Sequence, residues 1–141
     1  MSAIPITVLH VEDDDVDALA VERAFRNVTR APSILRAKDG DEALEILRGA
    51  DPTRRLTRPY VVLLDWNLPR MSGGEVLSRI RADRELRSSV VFVLTTSRSA
   101  DDRRAAYDHN VAGYLVKSEL GDELTERLAL IADYGCLVEL P

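Results

Sequence analysis

The sequence predicts a doubly wound α/β protein, in which five helices cover the two faces of a five-stranded parallel sheet. Short apolar runs alternate five times with segments whose apolar residues recur every three or four positions. Two of these runs, at 60–64 and 90–94, contain only apolar residues, which is typical of strands buried on both faces of a sheet. A length of 141 residues favours one domain with a sizeable core.

The first part of the chain supplies two strands and two helices. An apolar run at 6–11 predicts the first strand, in which His10 is interpreted as a core residue. Four acids follow, starting at Glu12, and one of the later acids is suited to cap the next helix. Residues 33–37 predict a weaker second strand, and residues 41–48 a second helix. The apolar stripe of the first helix comprises Ala18, Val21, Phe25 and Val28.

The third strand, at 60–64, ends abruptly at Asp65. A carboxylate at the end of such a strand lies at the carboxyl edge of the sheet, where open α/β sheets build their sites. Trp66 is interpreted as packing within the loop that follows. Ser72 is suited to cap a third helix at 73–82.

The remaining elements follow the same alternation. A fourth strand at 90–94 leads to Thr95, and a helix covers 100–109. A fifth strand at 112–116 leads to Lys117. The last helix is expected to present Leu120, Leu124, Leu128 and Ile131 on one face.

Polar side chains with complementary chemistry end four of the strands: Glu12 and Asp13, then Asp65, Thr95 and Lys117. Because parallel strands share one carboxyl edge, we expect these side chains to lie together. Clustered carboxylates repel one another unless a cation neutralises them, and oxygen ligands of this kind suit Mg²⁺. One carboxylate of such a site can act as a nucleophile toward a phosphoryl group, whose oxygens the metal, hydroxyl and ammonium then neutralise.

These segments resemble the receiver domain of two-component response regulators. V-L-H-V-E-D-D is similar to the acidic motif of that family, and L-L-D-W-N-L-P-R-M-S-G is similar to its phosphoacceptor loop. V-F-V-L-T-T-S and G-Y-L-V-K-S are similar to the segments that carry its switch hydroxyl and its lysine. The resemblance covers about residues 6–133 and implies the flavodoxin-like receiver fold, with strand order 2-1-3-4-5.

The resemblance also implies roles for the residues that match. Asp65 would be the phosphoacceptor and Asp13 a direct ligand of Mg²⁺. Glu12 would bind the metal through water, and the backbone carbonyl of Asn67 would complete the metal shell. A phosphatase of the haloacid-dehalogenase type is a second hypothesis, but it requires an acid at the position of Asn67.

Two further residues match the part of the family that holds and senses the phosphoryl group. Thr95 and Lys117 would bind it, and Tyr114 matches the aromatic residue whose rotamer follows Thr95. The family usually has a cis proline after the lysine, where this chain has Ser118. This departure and a long polar loop at 49–59 resemble the small stand-alone regulators that are paired with bacterial phytochromes.

The function implied by the resemblance is that of a single-domain response regulator phosphorylated by a sensor histidine kinase, expected to be a bacteriophytochrome. It would not be an enzyme, but a phosphoacceptor that assists its own phosphorylation and dephosphorylation. Output would pass to a downstream protein or a phosphotransfer protein. Two alternatives are a receiver that acts as an interaction module without phosphorylation and a flavodoxin-like cofactor module. The four acids after the first strand would repel the phosphate of such a cofactor.

Composition excludes several other classes. The net charge of −5 argues against nucleic-acid binding through a basic surface. No apolar run approaches the roughly 20 residues of a membrane span, and the N-terminus lacks the features of a signal peptide. The single Cys136 cannot form an internal disulfide, so a cytoplasmic location is expected.

The C-terminal segment predicts self-association. Gly135 is expected to end the last helix, so the receiver domain is assigned to residues 1–133 and an extended tail to residues 134–141. The tail contains Leu137, Val138 and Leu140, an unusual composition for a free end. We expect a homodimer in which each tail reaches the fourth and fifth helices of its partner. The alternative is that the tail folds back on its own chain.

Overall fold

The computed structural model describes residues 5–117 and 123–141. One parallel sheet has the strand order β2-β1-β3-β4-β5, as expected from the sequence. Its strands are β1 (Thr7–Val11), β2 (Ser33–Ala37), β3 (Tyr60–Leu64), β4 (Val91–Thr95) and β5 (Gly113–Val116). The helices within the described ranges are α1 (Asp15–Arg26), α2 (Gly40–Arg48), α3 (Gly73–Ala82), α4 (Ala100–Asp108) and α5 (Leu124–Leu137). The predicted fold class is therefore confirmed.

Two apolar clusters cover the two faces of the sheet. One lies under α2, α3 and α4, and the other under α1 and α5. Side chains of β1 alternate between them, since Leu9 belongs to the first cluster and Val8 to the second. All five residues of β3 are buried. This central strand therefore fixes the position of the residue that follows it, Asp65.

Side-chain caps fix the beginnings of four helices. Asp14 accepts hydrogen bonds from the backbone N–H groups of Val16 and Asp17, and so begins α1. Asp39, Ser72 and Ser99 cap α2, α3 and α4 in the same way. The cap expected at Ser72 is confirmed. Each cap fixes where its helix begins relative to the carboxyl edge of the sheet.

Arg81, near the end of α3, joins two loops through hydrogen bonds to four backbone carbonyls. Its Nε donates to the carbonyl of His109 at 2.7 Å, and Nη2 donates to that of Asn110 at 3.1 Å. Its Nη1 donates to the carbonyls of Ser89 at 2.7 Å and Arg87 at 2.8 Å. Arg81 thereby attaches the C-terminal end of α4 to α3 and to the loop before β4.

The end of the chain differs from the prediction. Helix α5 continues through Gly135 to Leu137, and the backbone is extended at Val138, directly after the helix. The extended tail expected at 134–141 is therefore wrong for residues 134–137. A Cβ atom at Gly135 would lie 2.6 Å from Cγ2 of Ile6, so glycine permits close packing of α5 against the start of β1. Close packing, rather than helix termination, is the reason for glycine here.

The last residues fold back on their own chain. Leu140 packs against the apolar cluster under α1 and α5. The carbonyl of Pro141 accepts a hydrogen bond from Nη1 of Arg58 at 3.2 Å. The described helices include none that is long and apolar enough to cross a membrane.

Substitution of Gly135 tests the close packing of α5. Alanine has the higher helix propensity by about 1 kcal/mol, yet we expect Gly135→Ala to lower the free energy of unfolding by about 1–3 kcal/mol. The reason is the 2.6 Å approach to Ile6, whose side chain is buried in the core. Urea denaturation provides the measurement. The double variant Ile6→Ala/Gly135→Ala should lose less free energy of unfolding than the two single variants lose together. Additive losses of stability would contradict the proposed clash.

Candidate functional site

Acidic side chains that follow β1 and β3 meet at the carboxyl edge of the sheet. Glu12, Asp13 and Asp65 each place one carboxylate oxygen within 4.8 Å of those of the other two. Glu12 and Asp65 are buried, whereas Asp13 is exposed at the rim. The backbone N–H of Asp65 donates to the carbonyl of Val11 at 3.1 Å, which ties the end of β3 to the end of β1. The structure thus brings together the three acids singled out in the sequence.

Lys117 lies in the middle of this cluster. Its Nζ atom is 2.5 Å from Oε1 of Glu12, 2.9 Å from Oδ2 of Asp17 and 3.3 Å from Oδ2 of Asp65. Burial opposes the charge of the ammonium, but the hydrogen bonds to Glu12 and Asp17 and the charge of Asp65 raise the pKa of Lys117 above its ordinary value. The lysine therefore carries a positive charge at any physiological pH. Its neighbour Ser118 lies outside the described residues.

Glu12 is the most deeply buried acid of the site. Burial, together with the charge of Asp65, raises the pKa of Glu12 to about 7, against the hydrogen bond from Lys117. Nε of Arg36 donates to the carbonyl of Glu12 at 3.0 Å, and Nη1 donates to Oδ1 of Asp15 at 2.7 Å. Arg36 thereby connects strand β2 to the loop of acids that follows β1, at 12–15.

The loop after Asp65 is fixed by two glycines and Trp66. A Cβ atom at Gly73 would lie 2.3 Å from the carbonyl oxygen of Asp65, and a Cβ atom at Gly74 would lie 2.9 Å from the ring of Trp66. The start of α3 therefore packs directly on the backbone and ring that follow β3. Trp66 is buried in this contact, which confirms its interpretation as loop packing. The backbone N–H of Asn67 donates to Oδ1 of Asp65 at 3.1 Å.

Thr95 and Tyr114 are both linked to Ser97. Thr95 is fully buried at the end of β4, and its hydroxyl oxygen accepts a hydrogen bond from the backbone N–H of Ser97 at 3.3 Å. The hydroxyl of Tyr114 donates to the carbonyl of Ser97 at 3.0 Å. Within the described ranges, Thr95 makes no hydrogen bond to Asp65. The loop between β4 and α4 thus connects the two residues that the resemblance assigns to the switch.

Two contacts of the site were not predicted from the sequence: that of Asp17 with Lys117 and that of Arg36 with Glu12. Asp17 lies in the first turn of α1, which begins directly after the acidic loop, so its position near the sheet edge was the available signal. Arg36 is paired with His10 across β1 and β2. The strand order therefore provides the signal for Arg36.

His10 is buried in β1, and its Nε2 atom has no hydrogen-bond partner among the described residues. Burial, followed by the positive charges of Lys117 and Arg36, lowers the pKa of His10 to about 3. The imidazole is therefore neutral in the folded protein at physiological pH. This environment agrees with the interpretation of His10 as a core residue.

The neutral state of His10 makes stability depend on pH. The unfolded chain binds a proton at His10 below about pH 6.5, whereas the folded protein does not until about pH 3. Folding stability is therefore lost as the pH falls below about 6.5. We expect the free energy of unfolding of the wild type to fall by about 2 kcal/mol more than that of His10→Leu between about pH 7 and pH 5. Urea denaturation at the two pH values measures the difference, and equal losses would contradict the buried neutral state.

The geometry supports a defined chemistry. Three carboxylates supply the oxygen ligands that a hard divalent cation requires, so the site fits a metal of the Mg²⁺ type. Asp65 combines a buried carboxylate with an ammonium at 3.3 Å, which can stabilise negative charge transferred to that carboxylate. The arrangement is suited to accept a phosphoryl group rather than to bind an apolar ligand.

Comparison with known proteins agrees with this chemistry. The family model for the response regulator receiver domain matches residues 8–129. The probable methanogenesis regulatory protein FilR2 of Methanothrix harundinacea is 39% identical over 92% of this chain and 83% of its own length. Response regulator Rcp1 of Synechocystis is 36% identical over 81% of this chain and 78% of its own length.

Two solved structures extend the comparison. The Mn(2+)-bound form of Rcp1 aligns with a TM-score of 0.84 at 33% identity, and covers 97% of this chain and 99% of its own. The phosphorylated cyanobacterial phytochrome response regulator RcpA aligns with the same TM-score and identity, and covers 96% of this chain and 98% of its own. The similarity therefore extends over nearly the whole chain and includes regulators associated with phytochromes.

Proposed function

The chain belongs to the response regulator receiver domain family, and from this premise we propose that it accepts a phosphoryl group on Asp65 from a sensor histidine kinase. The observation that carries the proposal is the position of Asp65, buried at the end of β3 with two further acids and Lys117 around it. Family membership sets aside the phosphatase and the flavodoxin-like cofactor module.

The proposed reaction is a transfer from a phosphohistidine. A carboxylate oxygen of Asp65 attacks the phosphorus atom, and the bond from phosphorus to the histidine nitrogen breaks with its electron pair left on that nitrogen. The ammonium of Lys117 is close enough to Asp65 to donate a hydrogen bond to a phosphoryl oxygen. We assign the second donor to Thr95, because its hydroxyl oxygen accepts a hydrogen bond from Ser97 and its proton is donated to no other described residue.

We propose Mg²⁺ as the resident cofactor. The carboxylates of Asp13 and Asp65 and the backbone carbonyl of Asn67 would bind it directly, and Glu12 would bind it through water. When bound, the cation neutralises negative charge on the phosphoryl oxygens. The Mn(2+)-bound form of the similar regulator Rcp1 supports a divalent cation as the cofactor.

Phosphorylation is proposed to act on α4, β5 and α5 through Ser97. A phosphoryl group would offer the hydroxyl of Thr95 a new acceptor, so Thr95 would move toward Asp65. The carbonyl of Ser97 accepts a hydrogen bond from the hydroxyl of Tyr114, and the backbone N–H of Ser97 donates to the hydroxyl of Thr95. Displacement of the loop between β4 and α4 would therefore release Tyr114 to turn inward. We infer that the surface formed by α4, β5 and α5 carries the signal.

The proposed partners follow from the similarity to RcpA and Rcp1. We propose a bacteriophytochrome as the kinase, and a downstream protein or phosphotransfer protein as the receiver of the signal. The protein would act as a phosphoacceptor that assists its own phosphorylation and dephosphorylation, and not as an enzyme with a separate substrate. The cytoplasmic location expected from the sequence stays a prediction.

Phosphotransfer tests the proposed function. The protein is incubated with labelled phosphohistidine kinases and Mg²⁺, and initial rates are compared between bacteriophytochromes and other kinases of the same organism. We expect fast labelling by a bacteriophytochrome, loss of labelling in excess chelator, and release of the label by hydroxylamine, which cleaves acyl phosphates. A protein that stays unlabelled with every kinase and with a small phosphodonor would instead be an interaction module without phosphorylation.

A homodimer is proposed through the exposed apolar side chains of α5. Leu130 is 60% exposed, Leu137 73% and Tyr134 39%. Leu130 and Tyr134 border a cavity of about 500 Å³ that is also lined by Phe92 and Leu115. Because Leu140 packs on its own chain, α5 itself rather than an exchanged tail is the proposed contact.

Light scattering of a charge variant tests the homodimer. Leu130→Glu should halve the measured mass at equal concentration, since a carboxylate in the interface would be buried without a partner. Val16→Glu is the matched control, because Val16 is exposed on α1 and does not line this cavity. A wild type with the mass of a monomer would contradict the dimer.

A further inference from the structure

Asp17 is an acid of the site that was not predicted from the sequence and that is not one of the proposed metal ligands. It lies in the first turn of α1, where its backbone N–H donates to the cap Asp14 at 3.0 Å. Its Oδ2 atom is 2.9 Å from Nζ of Lys117, closer than the 3.3 Å that separates Nζ from Asp65. The first turn of α1 thus presents a carboxylate to the same ammonium that serves the acceptor.

We propose that Asp17 is a positioning residue that restrains Lys117 and thereby weakens the stabilisation of a phosphoryl group on Asp65. The proposal rests on the proposed function and extends it to the lifetime of the phosphorylated state. It predicts that the contact between Asp17 and Lys117 shortens that lifetime.

The hydrogen-bonding capacity of the ammonium carries the argument. Lys117 has three donor hydrogens, and three carboxylates accept from it: those of Glu12, Asp17 and Asp65. All three donors are therefore in use before any phosphoryl group arrives. A phosphoryl oxygen must compete with an existing acceptor, and Asp17 is an acceptor outside the proposed metal-ligand set.

The environment of Asp17 makes this competition effective. The cap at Asp14 fixes the backbone of Asp17. Movement of the ammonium of Lys117 toward Asp65 would therefore break its 2.9 Å contact with the carboxylate of Asp17. The side chain of Lys117 is 13% exposed and that of Asp17 is 39% exposed, so water reaches the pair from the Asp17 side only. Asp17 also adds negative charge to a site that must receive a doubly charged group.

Beryllofluoride, a mimic of the phosphoryl group, tests the proposal at a saturating concentration of Mg²⁺. Its binding is followed by the fluorescence of Trp66, which is packed beside the acceptor. We expect Asp17→Asn to bind beryllofluoride about two- to fivefold more tightly than the wild type. The half-life of the phosphorylated protein should lengthen by a similar factor.

Two control variants separate the contact from a general change of charge. Asp15→Asn removes the same charge from the same turn of α1, but Asp15 pairs with Arg36 rather than with Lys117. It should leave beryllofluoride affinity within about twofold of the wild type. Asp17→Glu retains the carboxylate and should restore wild-type affinity more closely than Asp17→Asn does.

The outcomes are distinguishable. Tighter binding of beryllofluoride by Asp17→Asn, without tighter binding of Mg²⁺ alone, supports the restraint on Lys117. Equal or weaker binding of beryllofluoride would overturn it, because a purely structural role lowers affinity. If the wild type neither binds beryllofluoride nor becomes phosphorylated, the proposed function itself has failed. That failure would not be due to the contact between Asp17 and Lys117.

Discussion

The Asp65→Asn protein is expected to accept no phosphoryl group from a kinase or a small phosphodonor. An amide oxygen is a poor nucleophile, and an amide also removes a negative ligand from the acidic cluster. The remaining acids do not replace it, because Glu12 is fully buried and paired with Lys117, and Asp13 is exposed at the rim. The label bound after a fixed incubation should therefore fall at least about a hundredfold, as expected for loss of the reacting group.

Stability measurements separate this loss from unfolding. Asp65 is 5% exposed and lies close to the carboxylate of Glu12, so neutralising it removes a repulsion. Without metal, Asp65→Asn should be at least as stable to urea as the wild type. Asp15→Asn, which changes an exposed acid, should be labelled at the wild-type rate. Labelling of Asp65→Asn at that rate would show that another residue is the acceptor.

Lys117→Met is expected to cause the largest loss of stability. The ammonium pairs with Glu12, which is fully buried, and a buried carboxylate without a partner is strongly unfavourable. We expect the free energy of unfolding to fall by about 3 kcal/mol. Phosphorylation should also be nearly abolished, because a donor to the phosphoryl oxygens is lost.

The loss in Lys117→Met should grow with pH. Burial raises the pKa of Glu12 to about 7 in the wild type, and removal of Lys117 raises it further. A folded-state pKa above the unfolded value gives stability that is lost as the pH rises through it. The variant should thus be closest to the wild type near about pH 5 and furthest from it above about pH 7. The double variant Glu12→Gln/Lys117→Met should recover part of the stability. No recovery would contradict Glu12 as the cause.

Local patterns were sufficient for the fold and for most of the site. The unbroken apolar run of β3 and the capping residue Ser72 depend on short-range rules, and both were predicted correctly. The shared edge of a parallel sheet then placed Glu12, Asp65 and Lys117 together.

Contacts between distant elements could not be predicted in this way. Gly135 is a helix breaker by propensity, but its contact with Ile6 gives it a place inside α5. The contact of Asp17 with Lys117 depends on how the first turn of α1 is oriented toward the end of β5. Neither relation leaves a repeating pattern in the sequence, since each is decided by packing across the finished fold.

The four carbonyls bound by Arg81 determine how α4 can respond to the acceptor. His109 and Asn110, at the C-terminal end of α4, are both held by this guanidinium, whereas the N-terminal end adjoins the loop of Ser97. A helix that is attached at one end can rotate as a rigid body about that end. For a helix about 14 Å long, a rotation of about 10° displaces the free end by about 2 Å and the held end hardly at all. A displacement that starts at Thr95 should therefore be greatest around Ser99 and should decrease along α4 toward Tyr107.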